Sequence, residues 1–161
     1  MITRFSGKEI IEMAIRIEVK DQEFYKGLEE RATTHDLKQL YHWLAIEEEK
    51  HIHVFEKMKQ FVERIELRNP QEWQEAMLYF DALIRTRVFA ETPDANSLIN
   101  ELKDDIGAIQ IAISFEKDSI LFFQEMNTLV DDREKDIIEK LIIEEKGHIL
   151  KLLKMMQHVT A

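Results

Sequence analysis

The block Ala45-Ile46-Glu47-Glu48-Glu49-Lys50-His51 returns later in the chain as Ile142-Ile143-Glu144-Glu145-Lys146-Gly147-His148. Earlier in each half, Ala14-Ile15-Arg16-Ile17-Glu18 is answered by Ala112-Ile113-Ser114-Phe115-Glu116. The two correspondences run at nearly one offset, 97 residues for the first and 98 for the second. A two-helix unit therefore occurs twice, and a repeated unit of this size buries its apolar face against its neighbour. Two copies packed on each other share an approximate two-fold axis, and equivalent residues converge there. The fold this demands is two helical hairpins joined by a long connection.

The rest of the chain agrees. Only 4 Gly and 2 Pro occur in 161 residues, with 34% charged and 45% hydrophobic, a balance that favours long helices over a turn-rich β fold. An all-α protein of single-domain length, 1–161, is expected. Ser6-Gly7-Lys8-Glu9 reads as a capping box opening a first helix over about 7–32, with Ile10, Ile11, Ala14, Ile17, Phe24, Tyr25 and Leu28 as its apolar stripe. Thr33-Thr34-His35-Asp36 is a joint short enough to force an antiparallel pair. Leu37, Leu40, Tyr41, Leu44, Ile52, Phe55, Met58 and Val62 carry the second helix over 35–67. Asn69 as N-cap and Pro70 at the first helical position start a crossover helix over about 70–89, bearing Trp73, Met77, Phe80 and Ile84. Glu91-Thr92-Pro93-Asp94 breaks the pattern. Leu98, Leu102, Ile106, Ile109, Ile113, Ile120, Phe123 and Met126 then predict one continuous third helix over 97–128. Asp131-Asp132-Arg133-Glu134 caps a fourth, over 132–157.

Four glutamates stand where leucines belong. At 100° per residue, Glu18 shares a face with Ile11, Ala14 and Tyr25, and Glu116 with Ile109, Ala112, Ile113, Ile120 and Phe123. Glu48 lies among Tyr41, Leu44, Ile52 and Phe55, and Glu145 among Ile138, Leu141, Ile142, Ile149 and Leu152. A buried, unpaired carboxylate costs several kcal/mol, and four together repel one another. No Lys or Arg occupies matching core positions in both halves, whereas two divalent cations balance four carboxylates and leave His51 and His148 neutral. The spacing Glu48-x-x-His51 and Glu145-x-x-His148 puts each pair on one helix face. One Glu from each of two helices, with Glu-x-x-His from each of the other two, is a ligand set of di-iron and di-manganese carboxylate bundles. Such oxygen-rich ligation suits iron or manganese better than structural zinc.

On Glu18 with Tyr25, Glu48-x-x-His51, the run Ser114-Phe115-Glu116-Lys117-Asp118-Ser119-Ile120-Leu121-Phe122-Phe123, and Glu145-x-x-His148, the sequence resembles the rubrerythrin family of the ferritin-like superfamily, without a rubredoxin domain. The likeness covers nearly the whole chain and implies a ferritin-like four-helix bundle whose crossover contains a short helix. It implies Glu18, Glu48, His51, Glu116, Glu145 and His148 as ligands of two iron ions, with manganese or zinc as substitutes, and Glu48 and Glu145 as the bridging carboxylates. It further implies a non-haem di-iron oxidoreductase that reduces peroxide or dioxygen, with Tyr25 or carboxylates handling protons. No cysteine occurs to hold a further iron centre, so the implied partner is an external electron donor such as a rubredoxin or a flavoprotein. Two positions depart from the family. Ser119 stands where an additional carboxylate, one turn after the third-helix Glu, takes part in a redox-linked iron shift, and Phe123 stands where a second Tyr is expected.

The remaining residues carry quieter expectations. Tyr25 has packing as its competing role. Glu47, Glu49 and Glu144 flank the motifs and fit either a solvated face or partners of the imidazoles. Asp21, one turn from Glu18, is a better spare ligand than Gln22, while His35, His42, His53 and His158 are placed at the surface and Met155 and Met156 in packing. The net charge of −10 without a Lys/Arg cluster gives no footprint for nucleic acid or anionic lipid. No apolar run approaches the ~20 residues of a membrane span, and no signal pattern opens the chain, so a cytoplasmic protein is expected, with a homodimer as the default assembly. Two other readings use the same ligands, namely a ferritin-like protein that oxidises and hands on iron, and a metal-binding bundle without turnover.

Overall fold

The computed structural model describes residues 7–62, 70–86 and 95–161. They form six helices, α1 Gly7–Arg31, α2 His35–Lys59, α3 Pro70–Thr86, α4 Ala95–Glu101, α5 Asp105–Asn127 and α6 Asp132–Thr160. No strand occurs among the described residues, and no described helix is long and apolar enough to cross a membrane. The expected caps at Ser6 and Asn69 and the break at Glu91–Asp94 lie outside the described residues, whereas the second helix, expected over 35–67, ends at Lys59: Gln60 is its C-cap, and the ladder tightens into three-residue bonds from Gln60 N–H to the Lys57 carbonyl and from Phe61 N–H to the Met58 carbonyl. Helices α1 and α2 pack along each other as one hairpin and α5 and α6 as the other; α1 meets α5 and α2 meets α6 across the middle. The all-α, two-hairpin architecture expected from the repeat is the one observed.

The joint between α1 and α2 works as its residues suggest. Thr34 sits in extended backbone and its hydroxyl accepts from Leu37 N–H at 3.3 Å, closing the first turn of α2. The third helix, expected as one run over 97–128, is instead two. The chain leaves the helix after Glu101, and Asp104, also extended, accepts from Gly107 N–H at 2.7 Å to start α5. A short carboxylate that bonds the backbone three residues on competes with continuation of a helix. Asp104-Asp105-Ile106-Gly107 carried that signal, and the unbroken apolar period of Leu98, Leu102 and Ile106 hid it. The break lets α4 lie against α1 at Gly27, where a Cβ would come within 2.2 Å of Ile99 Cδ1. At the other end, α6 continues to Thr160, and Asp131 is its N-cap without a side-chain capping bond.

The core is two apolar clusters separated by a polar layer. Along α1, Ile10 to Ile17 belong to one cluster and Phe24 to Leu28 to the other; α2 enters the second with Leu37 to Ala45 and the first with Phe55 and Met58, and Val62 just beyond it joins the first. Helix α5 runs from Ala108–Phe115 in the second to Phe122–Met126 in the first, and α6 from Ile138–Ile142 in the first to Leu152 in the second. Met77 and Phe80 of α3 extend the first cluster, and Leu98 and Ile99 of α4 extend the second. Each long helix thus changes cluster at mid-length, and those four mid-points hold Glu18, Glu48, Glu116 and Glu145.

The two caps separate cleanly in a stability measurement. Asp104→Ala removes a bonded N-cap and is expected to cost about 1 kcal/mol in urea unfolding. Asp131→Ala forfeits only the charge at a helix N-terminus and is expected to cost no more than ~0.5 kcal/mol. Equal losses would contradict the capping assignment.

Candidate metal centre

Among the described residues, the buried polar and charged side chains are Glu18, Asp21, Glu48, His51, Glu116, Ser119, Glu145 and His148. All lie in the layer between the two clusters. The six residues singled out as metal ligands are therefore brought together, each at most 2% exposed. Tyr25, fully buried, stands beside them.

Their geometry repeats the two-fold relation of the sequence. Around His51 Nδ1 stand Glu18 Oε2 at 3.3 Å, Glu48 Oε2 at 3.1 Å and Glu145 Oε1 at 3.1 Å. Around His148 Nδ1 stand Glu116 Oε2 at 3.3 Å, Glu145 Oε2 at 2.9 Å and Glu48 Oε1 at 3.4 Å. A ring nitrogen carries at most one hydrogen and cannot donate to three acceptors. Three carboxylate oxygens converging on one nitrogen instead match the edges of a coordination polyhedron. With metal–ligand bonds of ~2.0–2.2 Å, neighbouring donors at 90–109° stand roughly 2.8–3.6 Å apart. The donor atoms form two groups, Glu18, Glu48, His51 and Glu145 in one and Glu48, Glu116, Glu145 and His148 in the other, each within 4.8 Å. Glu48 and Glu145 belong to both, offering one oxygen to each side. The two imidazoles lie nearly parallel, 5.5 Å between centroids.

Protons alone serve this cluster badly. Burial, reinforced by the charge of Glu48, pushes the Glu18 carboxyl well above the usual carboxylate range. Burial and then Glu145 raise Glu48, and burial and then Glu116 raise Glu145 far up. For Glu116 burial acts in the same direction but is outweighed by its neighbours Glu145 and His148, and its carboxyl lies below the usual range. Burial opposes charge on the two imidazoles, yet the surrounding carboxylates prevail and hold both far above the ordinary histidine value. Even so, Glu18 Oε1 and both oxygens of Glu48 and Glu145 have no hydrogen-bond partner. Buried polar atoms are rarely left so, and five orphaned carboxylate oxygens facing one another call for cations. The donor set, four carboxylates and two nitrogens, fits a pair of iron or manganese ions.

The surroundings of the cluster are less symmetric than its centre. The Tyr25 hydroxyl donates to Glu116 Oε1, whereas its counterpart in the second half is Phe123, and Glu18 Oε1 is left without a partner. Tyr25 stacks on Tyr41, 6.4 Å between centroids. Ser119, in the place where the family likeness led one to expect a carboxylate, donates to Asp21 Oδ2 at 3.1 Å; the two are equivalent positions of the repeat. The exposed Glu144 accepts from His51 Nε2 at 2.9 Å. Trp43, to which the sequence assigns no role, lies with its ring perpendicular to that of His148, 5.3 Å between centroids, a contact between helices that no single-helix pattern signals. The other histidines stay outside the centre: His42 meets Glu29, His53 the carbonyl of Glu49, and His158 Asp36. Met155 and Met156 pack against the second apolar cluster.

The family model described as Rubrerythrin matches residues 9–156, a span that contains every member of the cluster. Among solved structures, a protein of Thermotoga maritima, described as a candidate ferritin-like diiron-carboxylate protein and determined at 2.30 Å, is similar with a TM-score of 0.68 and 26% identity over 96% of each chain. No match is found among curated proteins. With the matched span covering the described length of both hairpins almost entirely and the carboxylate and histidine layer intact within it, this chain belongs to the rubrerythrin family.

Proposed function

We propose that this protein is a di-iron oxidoreductase that reduces peroxide, or dioxygen, with Glu18, Glu48, His51, Glu116, Glu145 and His148 as the ligands of the iron pair. The observation that carries the proposal is the sharing of Glu48 and Glu145 between the two donor groups, because carboxylates common to both would hold two ions close enough to act on one small molecule. When bound there, a ferrous pair supplies the two electrons that cleavage of one O–O bond takes up. Glu18 and Glu116 close the outer ends of the centre, and His51 and His148 flank one side with their Nδ1 atoms. Tyr25 keeps its proton, since burial and the charge of Glu116 push its hydroxyl well above the usual range, and it presents that proton at Glu116 Oε1. In this reading the hydroxyl proton is held against a ligand, to be given up only as charge develops on the reacting oxygen, while the apolar clusters on either side keep bulk water out. Re-reduction falls to an external donor, a rubredoxin or a flavoprotein, and a cytoplasmic homodimer is part of the same proposal.

Ion binding displaces protons from this cluster. The imidazoles and three of the carboxyls hold protons above their ordinary ranges, and a ligand must be deprotonated to bind. Manganese(II) added to the apoprotein in weakly buffered solution is therefore expected to release protons. Its affinity should fall as the pH is lowered, because protonated ligands are then favoured. Binding without proton release, or with affinity independent of pH, would contradict the ligand assignment. Turnover is tested by reducing iron-loaded protein anaerobically and titrating it with hydrogen peroxide. One equivalent per iron pair should restore the oxidised spectrum, and no reoxidation would leave a static metal bundle. Tyr25→Phe is expected to keep two ions bound while slowing the reoxidation on the order of 10²-fold.

A further inference from the structure

The repeated motif is broken at one position of the turn that carries the ligands. Lys50 in the first half corresponds to Gly147 in the second, as Glu47 corresponds to Glu144. Lys50 Nζ holds Glu47 Oε1 along the same helix. Gly147 has no side chain with which to hold Glu144, and a Cβ placed there would meet nothing within 4 Å. Packing does not require this glycine. Glu144 is left free to cross from α6 to α2, where its Oε2 lies 2.9 Å from His51 Nε2. On the other side Glu47 stays with Lys50, and the neighbour of the His148 ring is Trp43, set perpendicular to it.

We infer that Glu144 is a positioning residue for His51, freed for that task by Gly147, and that it makes the ion position beside His51 and Glu18 distinct from the one beside His148 and Glu116. The inference rests on the di-metal reading given above. His51 Nδ1 faces three carboxylate oxygens and must keep its lone pair for a cation, so the ring proton belongs on Nε2, and a carboxylate accepting there fixes both tautomer and ring orientation. An outer carboxylate also makes the imidazole a stronger donor toward a cation. Removing such a partner typically weakens metal binding 10- to 100-fold.

Zinc(II) is a suitable probe because it is diamagnetic. Calorimetric titration of the apoprotein, with chelator competition, should resolve two ions bound per chain. Glu144→Ala, an exposed position, is expected to lower one of the two binding constants by about 10- to 100-fold and leave the other unchanged. Gly147→Lys restores the first-half arrangement, draws Glu144 back along its own helix, and should lower the same constant; Gly147→Ala should lower neither. In zinc-loaded protein the downfield Nε2–H signal of His51 should shift in Glu144→Ala and Gly147→Lys and stay in place in Gly147→Ala, a change that general loosening of the helix would not produce. Two ions bound with Glu144→Ala indistinguishable from wild type, both constants lowered alike, or Gly147→Lys behaving as Gly147→Ala would overturn this inference alone. Uptake of fewer than two ions by the wild-type protein would overturn the ion pair itself, and the inference with it.

Discussion

Four carboxylates, one from each long helix, are closed off from water between two apolar clusters and aimed at one another. Left to itself such an arrangement opposes folding, since desolvation and mutual repulsion act against it together. Everything around it serves to hold the repulsion in a fixed geometry. Each long helix changes from one apolar cluster to the other at the residue that carries the carboxylate, so the clusters on both sides clamp the layer. The two imidazoles supply neutral donors that become cationic when only protons are available. The centre is thus strained by charge and set by packing, which is how a site can be preorganised for ions before they arrive.

Duplication explains the inner layer and divergence explains the outer one. Glu18 with Glu116, Glu48 with Glu145, and His51 with His148 keep their roles under the approximate two-fold relation, and their distances to one another nearly repeat. The next ring of residues does not. Tyr25 bonds Glu116 while Phe123 offers Glu18 nothing, Asp21 faces Ser119 instead of a second carboxylate, and Lys50 is answered in the repeat by Gly147. An even-handed pair of cages has acquired two different sets of neighbours. The distinction is made without disturbing the six carboxylate and imidazole side chains at the centre.

Much of this was legible in the sequence because helical periodicity fixes an angle for every residue. Glu18, Glu48, Glu116 and Glu145 could be assigned to the core one helix at a time, and the repeat then required them to meet. Where the sequence fell short, two signals conflicted or the contact lay between helices. The interruption at Asp104 was written in its Asx signal, but the apolar period ran through it. Glu144 lies one residue before Glu145, about 100° away on its own helix, and only the proximity of α2 reveals what it bonds. Trp43 looks like an ordinary half-buried aromatic until His148 is placed beside it. The pairing of Asp21 with Ser119 follows from the repeat offset, although neither residue announces it alone.

The most direct test of the account is anomalous diffraction at the iron absorption edge from crystals of protein purified with its native metal. The account predicts two peaks per chain roughly 3.5–4 Å apart, lying between the Nδ1 atoms of His51 and His148 and bracketed by Glu48 and Glu145. An absence of anomalous signal in that layer, with the four carboxylates turned toward solvent or toward lysines, would contradict it.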